Sequence, residues 1–100
     1  MTWPPPAHLD AVPRAFLVER YLSPAAAVDL ASSTTRLGRL CAGTDGVRYL
    51  YSAYLPGEDT CFCLLQAPSP EAVREVNRQA RFAFDRLIDA VLMHGQGSSS

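Results

Sequence analysis

The sequence predicts one α+β domain in the ferredoxin-like order βαββαβ, a four-stranded antiparallel sheet with two helices on one face. Three observations predict a single domain and the first five elements of this fold, βαββα. Residues 15–22 and 47–66 are rich in branched and aromatic side chains, as strands are. A Ser-Pro pair precedes each predicted helix, at Ser23 and at Ser69. The length of 100 residues suits a single domain.

The first predicted strand, residues 15–22, places Phe16 and Val18 on one face and Leu17 and Glu19 on the other, because side chains alternate along a strand. A helix over residues 24–42 follows. The hydroxyl of Ser23 can accept a backbone N–H of the first turn, and proline fits the next position because no donor is needed there.

The second and third strands, residues 47–55 and 60–66, form a predicted hairpin around the turn at 56–59. The second helix begins after Ser69, with a buried stripe of Val73, Val76 and Ala80. Its first turn carries an acid, which the helix dipole favours there.

The closing segment, residues 84–93, has two interpretations. Phe84, Leu87, Ile88 and Val91 recur at helical spacing, and no glycine or proline interrupts them. Alternation also permits a strand. The local pattern favours the helix.

The chain divides into three predicted parts. Residues 1–14 form a proline-rich arm, residues 15–93 form the folded domain and residues 94–100 form a flexible tail.

Composition excludes several functions and indicates a compartment. A net charge of -1 gives no attraction to nucleic acid or anionic lipid, and no apolar run approaches the roughly 18 residues of a membrane span. Three cysteines and no secretory leader predict a reduced protein of the cytoplasm.

Apolar side chains on both faces of the strands predict a homodimer. Alternation places Leu17 and Tyr21 opposite Phe16, and it places Tyr49 and Tyr51 together on one face of the second strand. A monomer would expose more apolar surface than soluble monomers usually do, and a two-fold partner would cover it.

Five segments give the chain a resemblance to a bacterial family of ferredoxin-like domains, common in actinobacteria, that takes its name from similarity to a nickel-binding protein. The segments are Phe16-Leu17-Val18-Glu19-Arg20-Tyr21, Gly46-Val47-Arg48-Tyr49-Leu50, Glu58-Asp59-Thr60-Cys61-Phe62-Cys63, Ala67-Pro68-Ser69-Pro70-Glu71-Ala72-Val73-Arg74 and Phe84-Asp85-Arg86-Leu87-Ile88.

The resemblance implies a dimeric α/β barrel, a closing strand rather than a third helix, and nickel as a possible ligand. Some members carry histidine where this chain has Asn77 in the second helix, so Asn77 is a candidate ligand-binding residue. Members often have a glycine and a proline before the closing motif, where this chain has Arg81-Phe82-Ala83.

Cys61 and Cys63 are the candidate metal ligands. Two thiols at i and i+2 on a strand face the same way and could supply two soft ligands. No second ligand pair stands at zinc-type spacing, and alternate cysteines are also ordinary buried residues. We expect the structural role.

The other candidate ligand-binding residues are polar groups on the strands. A charge on the central first strand must be paired or face a cavity, so Glu19 and Arg20 are expected to meet Asp85 and Arg86 on the closing strand. One interpretation is a salt-bridge network. The other is a polar floor beneath a cavity lined by tyrosines. The tyrosines of that predicted lining are Tyr49, Tyr51 and Tyr54.

Three functions remain compatible with the sequence. The first is a non-enzymatic, dimeric binding protein for a metal ion or small ligand between sheet and helices. The second is a small α/β-barrel enzyme, a cofactor-free oxygenase or isomerase, that uses Glu19, Asp85 or a tyrosine for proton transfer. The third is a structural partner domain acting through its arm. Both histidines fall in the predicted tails, so no nucleophile–histidine pair is expected and the first function is favoured.

Overall fold

A computed structural model of the chain describes residues 14–93. The predicted arm and tail, with His8 and His94, lie outside the described residues. Arg14 is the exception, because the first strand already begins there, at the residue assigned to the end of the arm.

The described residues form a four-stranded antiparallel sheet with helices on one face. The strand order is β2-β3-β1-β4, and every neighbouring pair runs antiparallel. This arrangement confirms the predicted ferredoxin-like fold. The elements are β1 (Arg14–Tyr21), α1 (Pro24–Ala27), α2 (Leu30–Ala42), β2 (Arg48–Leu55), a 3-10 turn (Pro56–Glu58), β3 (Thr60–Ala67), α3 (Pro70–Gln79) and β4 (Arg86–Ala90).

The closing segment is a strand, so the helix favoured by its local periodicity is wrong and the strand implied by the family resemblance is right. β4 pairs with β1 over five residues, with Leu87 opposite Val18 and Ile88 opposite Leu17. β3 supplies hydrogen-bond partners for the backbone groups on one edge of β1. The backbone N–H and C=O groups on the other edge need partners as well. This tertiary demand overrides the local pattern.

Both predicted helix starts are capped by serine. Ser23 and Ser69 accept the backbone N–H of Ala26 and Ala72, each at 3.2 Å. The predicted helix over residues 24–42 is divided in two, because Asp29 leaves the helical conformation with ψ of 11°. α2 starts afresh at the next residue.

The core lies between the sheet and the two longer helices. β1 and β3 are central, and each directs alternate side chains towards α2 and α3. The other face, which we call the outer face, points away from the helices. The buried core consists of Phe16, Val18, Leu37, Cys41, Val47, Cys61, Cys63, Leu65, Ala67, Val73, Val76, Ala80 and Phe82.

A β-bulge in β2 changes which tyrosines share a face. Tyr49 pairs with Leu65, whereas Tyr51 pairs with Leu64, so one residue of β2 is left over between them. Tyr49 therefore lies on the helix-facing side, and Tyr51 lies on the outer face. The predicted common face for these two tyrosines is wrong.

None of the helices within residues 14–93 has the length and apolar character needed to cross a membrane.

Candidate functional site

The most unusual feature of the core is a group of polar side chains that we call the thiol–guanidinium cluster. It consists of Arg20 on β1, Ser52 on β2, Cys61 and Cys63 on β3, and Asn77 on α3. Strand alternation directs Arg20, Cys61 and Cys63 to the helix-facing side of the sheet, where Asn77 meets them from above.

Arg20 is fully buried, with 0% of its surface exposed. Its Nη1 donates to the sulfur of Cys63 at 2.9 Å, and its Nη2 donates to Oδ1 of Asn77. The guanidinium carbon lies 3.5 Å from the centroid of the Phe82 ring. Among residues 14–93 no carboxylate forms a salt bridge with Arg20. A buried charge needs a counter-charge, and the sulfur of Cys63 is the acceptor in place.

The environment of Cys63 favours the thiolate. Hydrogen bonding between the thiols of Cys61 and Cys63 has the largest influence and lowers the pKa of Cys63. Burial opposes this shift, whereas the Arg20 charge and the hydrogen bonds from Ser52 and Arg20 reinforce it, and the pKa falls to about 6. Cys63 is therefore the thiol of this core that loses its proton most readily.

The other two thiols are held in the neutral form. Hydrogen bonding to Cys63 and then burial raise the pKa of Cys61. Burial, followed by the charge of Cys63, raises the pKa of Cys41 to about 11. All three cysteines are free and buried. The three thiols thus differ in acidity although they share one core.

Hydrogen bonds extend the cluster to β2 and α3. Ser52 Oγ lies 2.8 Å from the sulfur of Cys63 and also contacts the hydroxyl of Tyr49. The amide Nδ2 of Asn77 donates to the carbonyl of Val73 at 2.7 Å, which fixes the direction of its Oδ1 towards Arg20. Burial raises the pKa of Tyr49.

One buried donor remains unsatisfied. The Nε of Arg20 has no hydrogen-bond partner among the described residues. A buried N–H without an acceptor costs free energy.

A cleft of about 580 Å³, which we call the Arg36 cleft, opens beside the cluster between α2 and the loop of residues 81–85. Its lining carries charges of both signs and shares Phe82 with the cluster. The lining residues that matter here are Asp29, Ser33, Arg36, Arg81, Phe82 and Asp85.

Asp85 and Arg81 shape the loop of this cleft. Asp85 Oδ2 accepts the backbone N–H of Tyr21 at 2.7 Å, and its own N–H donates to the carbonyl of Glu19 at 2.8 Å. Arg81 has a φ of 55°, in the left-handed region that favours glycine.

On the outer face, Glu19 meets Arg86 across β1 and β4. Glu19 Oε1 lies 3.2 Å from Arg86 Nη1 as an ion pair but accepts no aligned hydrogen bond. Glu19 is 8% exposed, and the side chain of Arg86 reaches solvent. The predicted pairing of Glu19 with the closing strand is therefore present in the structure.

The structure separates two groups of predicted site residues. Glu19 and Arg20 project from opposite faces, so they do not form one polar floor. Tyr51 lies on the outer face and Tyr49 on the helix-facing side, so the predicted cavity lined by the three tyrosines is wrong. Asp85 precedes β4. It contacts backbone atoms of Tyr21 and Glu19, and it makes no hydrogen bond with the side chain of Arg20.

The structure brings together four predicted site residues, Arg20, Asn77, Cys61 and Cys63. Tyr49 is connected to them through the hydroxyl of Ser52. Sequence reasoning missed Ser52 and Phe82. Counting outwards from the turn at 56–59 places Ser52 opposite Cys63, and that pairing exists. Phe82 follows a loop residue and carries no periodic signal.

Fold and site define a small ferredoxin-like α+β protein with a buried thiol–guanidinium cluster. The family model described as "Nickel responsive protein SCO4226-like" matches residues 16–89. The chain belongs to this family, as its sequence motifs indicated. Neither the comparison with curated proteins nor that with solved structures gave a match.

The described residues do not fit a nickel ion. Within residues 14–93 no group of three or more histidine, cysteine, aspartate or glutamate side chains is placed to hold a metal. The thiol pair of Cys61 and Cys63 adjoins the Arg20 guanidinium, which repels a dication and already occupies a hydrogen-bonding position on the sulfur.

Proposed function

We propose that this chain is a non-enzymatic, homodimeric binding protein whose ligand is a small molecule that carries both a positive and a negative charge. The Arg36 cleft carries the proposal. Its volume of about 580 Å³ lies within the range of ligand pockets. It contains two arginines and two aspartates, Arg36 and Arg81 with Asp29 and Asp85.

Arg36 is the group that would bind the negative end of the ligand. Its Nε donates to the carbonyl of Ala80 at 3.0 Å, and its Nη2 contacts Ser33 Oγ at 3.3 Å. These bonds fix the direction of the guanidinium, while Nη1 makes no hydrogen bond within the described residues. A planar guanidinium held in this way is suited to a carboxylate.

Asp29 is the group that would bind the positive end. It occupies the N-cap position of α2, where aspartate usually accepts a backbone N–H, yet its side chain makes no capping bond. Its carboxylate therefore remains for a ligand cation. The two carboxylates also disfavour a polyanion, which supports a ligand of mixed charge.

The outer face supports the homodimer. Tyr51 is 61% exposed there, and Leu17, Phe62 and Ile88 are half-buried beside it. The face spans all four strands, and an interface of ordinary size needs about 800 Å² from each partner. Three free cysteines support a reducing compartment, the cytoplasm.

A nickel ion is the alternative ligand, since the family is described as nickel responsive. The charge of Arg20 and the lack of a three-ligand group within residues 14–93 favour the organic ligand over nickel held on the core thiols.

Native mass spectrometry on gently purified full-length chain, before and after addition of Ni²⁺, tests the proposal. We expect the mass of a dimer with an organic adduct, retained in Arg39→Met and lost in Arg36→Met. Arg39 is the matched control because it is on α2 but does not line the Arg36 cleft. Free L-amino acids, the smallest zwitterions, serve as probes in a thermal-shift series. A monomeric mass contradicts the dimer. An adduct that survives Arg36→Met, or no response to any zwitterion, contradicts the site.

A further inference from the structure

We propose that Cys63 is a peroxide-reactive cysteine, a modification site that is separate from the Arg36 cleft. Two hydrogen-bond partners converge on its sulfur: Arg20 Nη1 donates to it at 2.9 Å, and the Ser52 hydroxyl, which is able to donate, lies 2.8 Å away. A guanidinium and a hydroxyl on one thiolate hold the sulfur as an anion, and the anion is the form that attacks a peroxide.

The argument for the anion is geometric. Arg20 is fully buried and has no carboxylate partner within the described residues, so its charge is uncompensated unless a thiol ionises. Cys63 is the thiol in contact with it. The lowered pKa of Cys63 and the raised pKa of Cys61 and Cys41 agree with this assignment.

The unpartnered Nε of Arg20 indicates a place for a small polar molecule. This N–H is buried without an acceptor, although the same guanidinium contacts Cys63 and Asn77. A group of the size of water or hydrogen peroxide would supply the missing acceptor. The same arginine would then contact both reactants.

The reaction balances with hydrogen peroxide as the only co-reactant. The Cys63 thiolate attacks one peroxide oxygen, an S–O bond forms and the O–O bond breaks. The products are the sulfenic acid of Cys63 and a hydroxide ion, which solvent protonates to water. The sulfur is oxidised by two electrons, and the peroxide is reduced by two. The Arg20 charge stabilises the negative charge that develops on the leaving oxygen.

Phe82 controls access to the sulfur. Cys63 is fully buried, and Phe82 covers Arg20 with its ring at 3.5 Å from the guanidinium. A neighbouring cleft of about 450 Å³ is lined by Phe82 and Asn77, so it ends at two residues that contact the guanidinium. Displacement of the Phe82 ring would connect this cleft to the cluster. Such a path admits a small oxidant and excludes larger ones.

The oxidised product is a sulfenic acid rather than a disulfide with Cys61. Cys61 and Cys63 are same-face neighbours at i and i+2 on β3, and residues so placed stand too far apart for an unstrained disulfide.

The test is site-resolved oxidation of the full-length protein. Protein is treated with hydrogen peroxide, the excess is removed with catalase, and the chain is unfolded in dimedone before peptide mass spectrometry. We expect dimedone on Cys63 in preference to Cys41 and Cys61. Phe82→Ala should label faster. Arg20→Met should label about tenfold more slowly at neutral pH, because the thiolate loses its counter-charge.

Two further measurements separate this role from a structural one. The labelling rate of the wild type should rise with pH through the pKa of Cys63, near 6. Ser52→Ala, which keeps the arginine, should shift that midpoint upwards while circular dichroism reports an intact fold. Labelling of Cys41 or Cys61 as fast as Cys63 overturns the proposal. The absence of label in Phe82→Ala, or an unchanged rate in a folded Arg20→Met, does so as well.

Discussion

Arg20 reaches Cys63 diagonally across the two central strands. In the register of β1 and β3, Arg20 stands opposite Cys61, and Val18 stands opposite Cys63. The contact of 2.9 Å therefore joins diagonal neighbours, a separation that a long side chain can span. The pKa of the directly opposite thiol is raised, and the pKa of the diagonal thiol is lowered.

This relationship predicts unequal costs for two similar substitutions. Cys63→Ala removes the counter-charge of a buried guanidinium, and we expect a loss of about 3–5 kcal/mol in the free energy of unfolding. Cys61→Ala removes a neutral thiol and its hydrogen bond to Cys63 but leaves the contact between Arg20 and Cys63 in place, and we expect about 1–2 kcal/mol. Urea denaturation of both variants is the measurement. Equal losses would show that Cys63 is an ordinary neutral thiol.

The stability of the protein should pass through a maximum near pH 9. The pKa of Cys63 is lowered from 9.0 to about 6 on folding, so the unfolded chain binds the extra proton between these values. Stability therefore rises from pH 6 to pH 9, by at most about 1.4 kcal/mol per pH unit, and is lost as pH falls through 6. Above pH 9 the sign reverses, because folding raises the pKa of Cys41 to about 11 and that of Cys61 as well.

Urea denaturation across this pH range checks the curve, and Cys63→Ser is its control. The variant should lose the rise between pH 6 and pH 9 and keep the decline above pH 9. A rise that persists in the variant would assign the titration to another group.

The backbone at Arg81 offers a gain in stability. Its φ of 55° is unfavourable for a residue with a Cβ, by about 1–2 kcal/mol. Arg81→Gly should therefore raise the free energy of unfolding by about 0.5–1 kcal/mol, after allowance for the flexibility of glycine in the unfolded chain.

Asp59 is the matched control for Arg81, since its φ of 49° is similar. Aspartate tolerates this conformation better, so Asp59→Gly should gain less. Thermal denaturation of the two variants is sufficient. A larger gain at Asp59 would mean that the strain at Arg81 is relieved by its surroundings.

Alternation along β3 places Cys61 and Cys63 on one face, as predicted, but the same alternation separates Glu19 from Arg20, so the predicted polar floor that combined these two residues conflicts with it. Hairpin counting also places Ser52 beside Cys63, because the register stays regular as far as Tyr51. The bulge after that point moves Tyr49 to the other face, and no glycine or proline in β2 marks it.

The remaining parts of the site depend on tertiary structure. The diagonal contact of Arg20 requires β1 and β3 to be neighbours, which only the topology decides. Phe82 lies in a loop without periodicity, so nothing local assigns it to the guanidinium. The closing strand has a helical pattern, and only the free edge of β1 makes it a strand.

The outer face predicts a specific response of the oligomeric state. Tyr51 is 61% exposed on this face, so Tyr51→Glu places a charge in the proposed interface without altering the core. We expect the variant to be monomeric in light scattering at micromolar concentration, because a buried unpaired carboxylate costs several kcal/mol. Val28→Glu is the control, since Val28 is exposed in the connection between α1 and α2, away from the sheet. Both variants should keep the circular dichroism of the wild type. A wild-type monomer, or a dimer that survives Tyr51→Glu, would require the outer face to have another role.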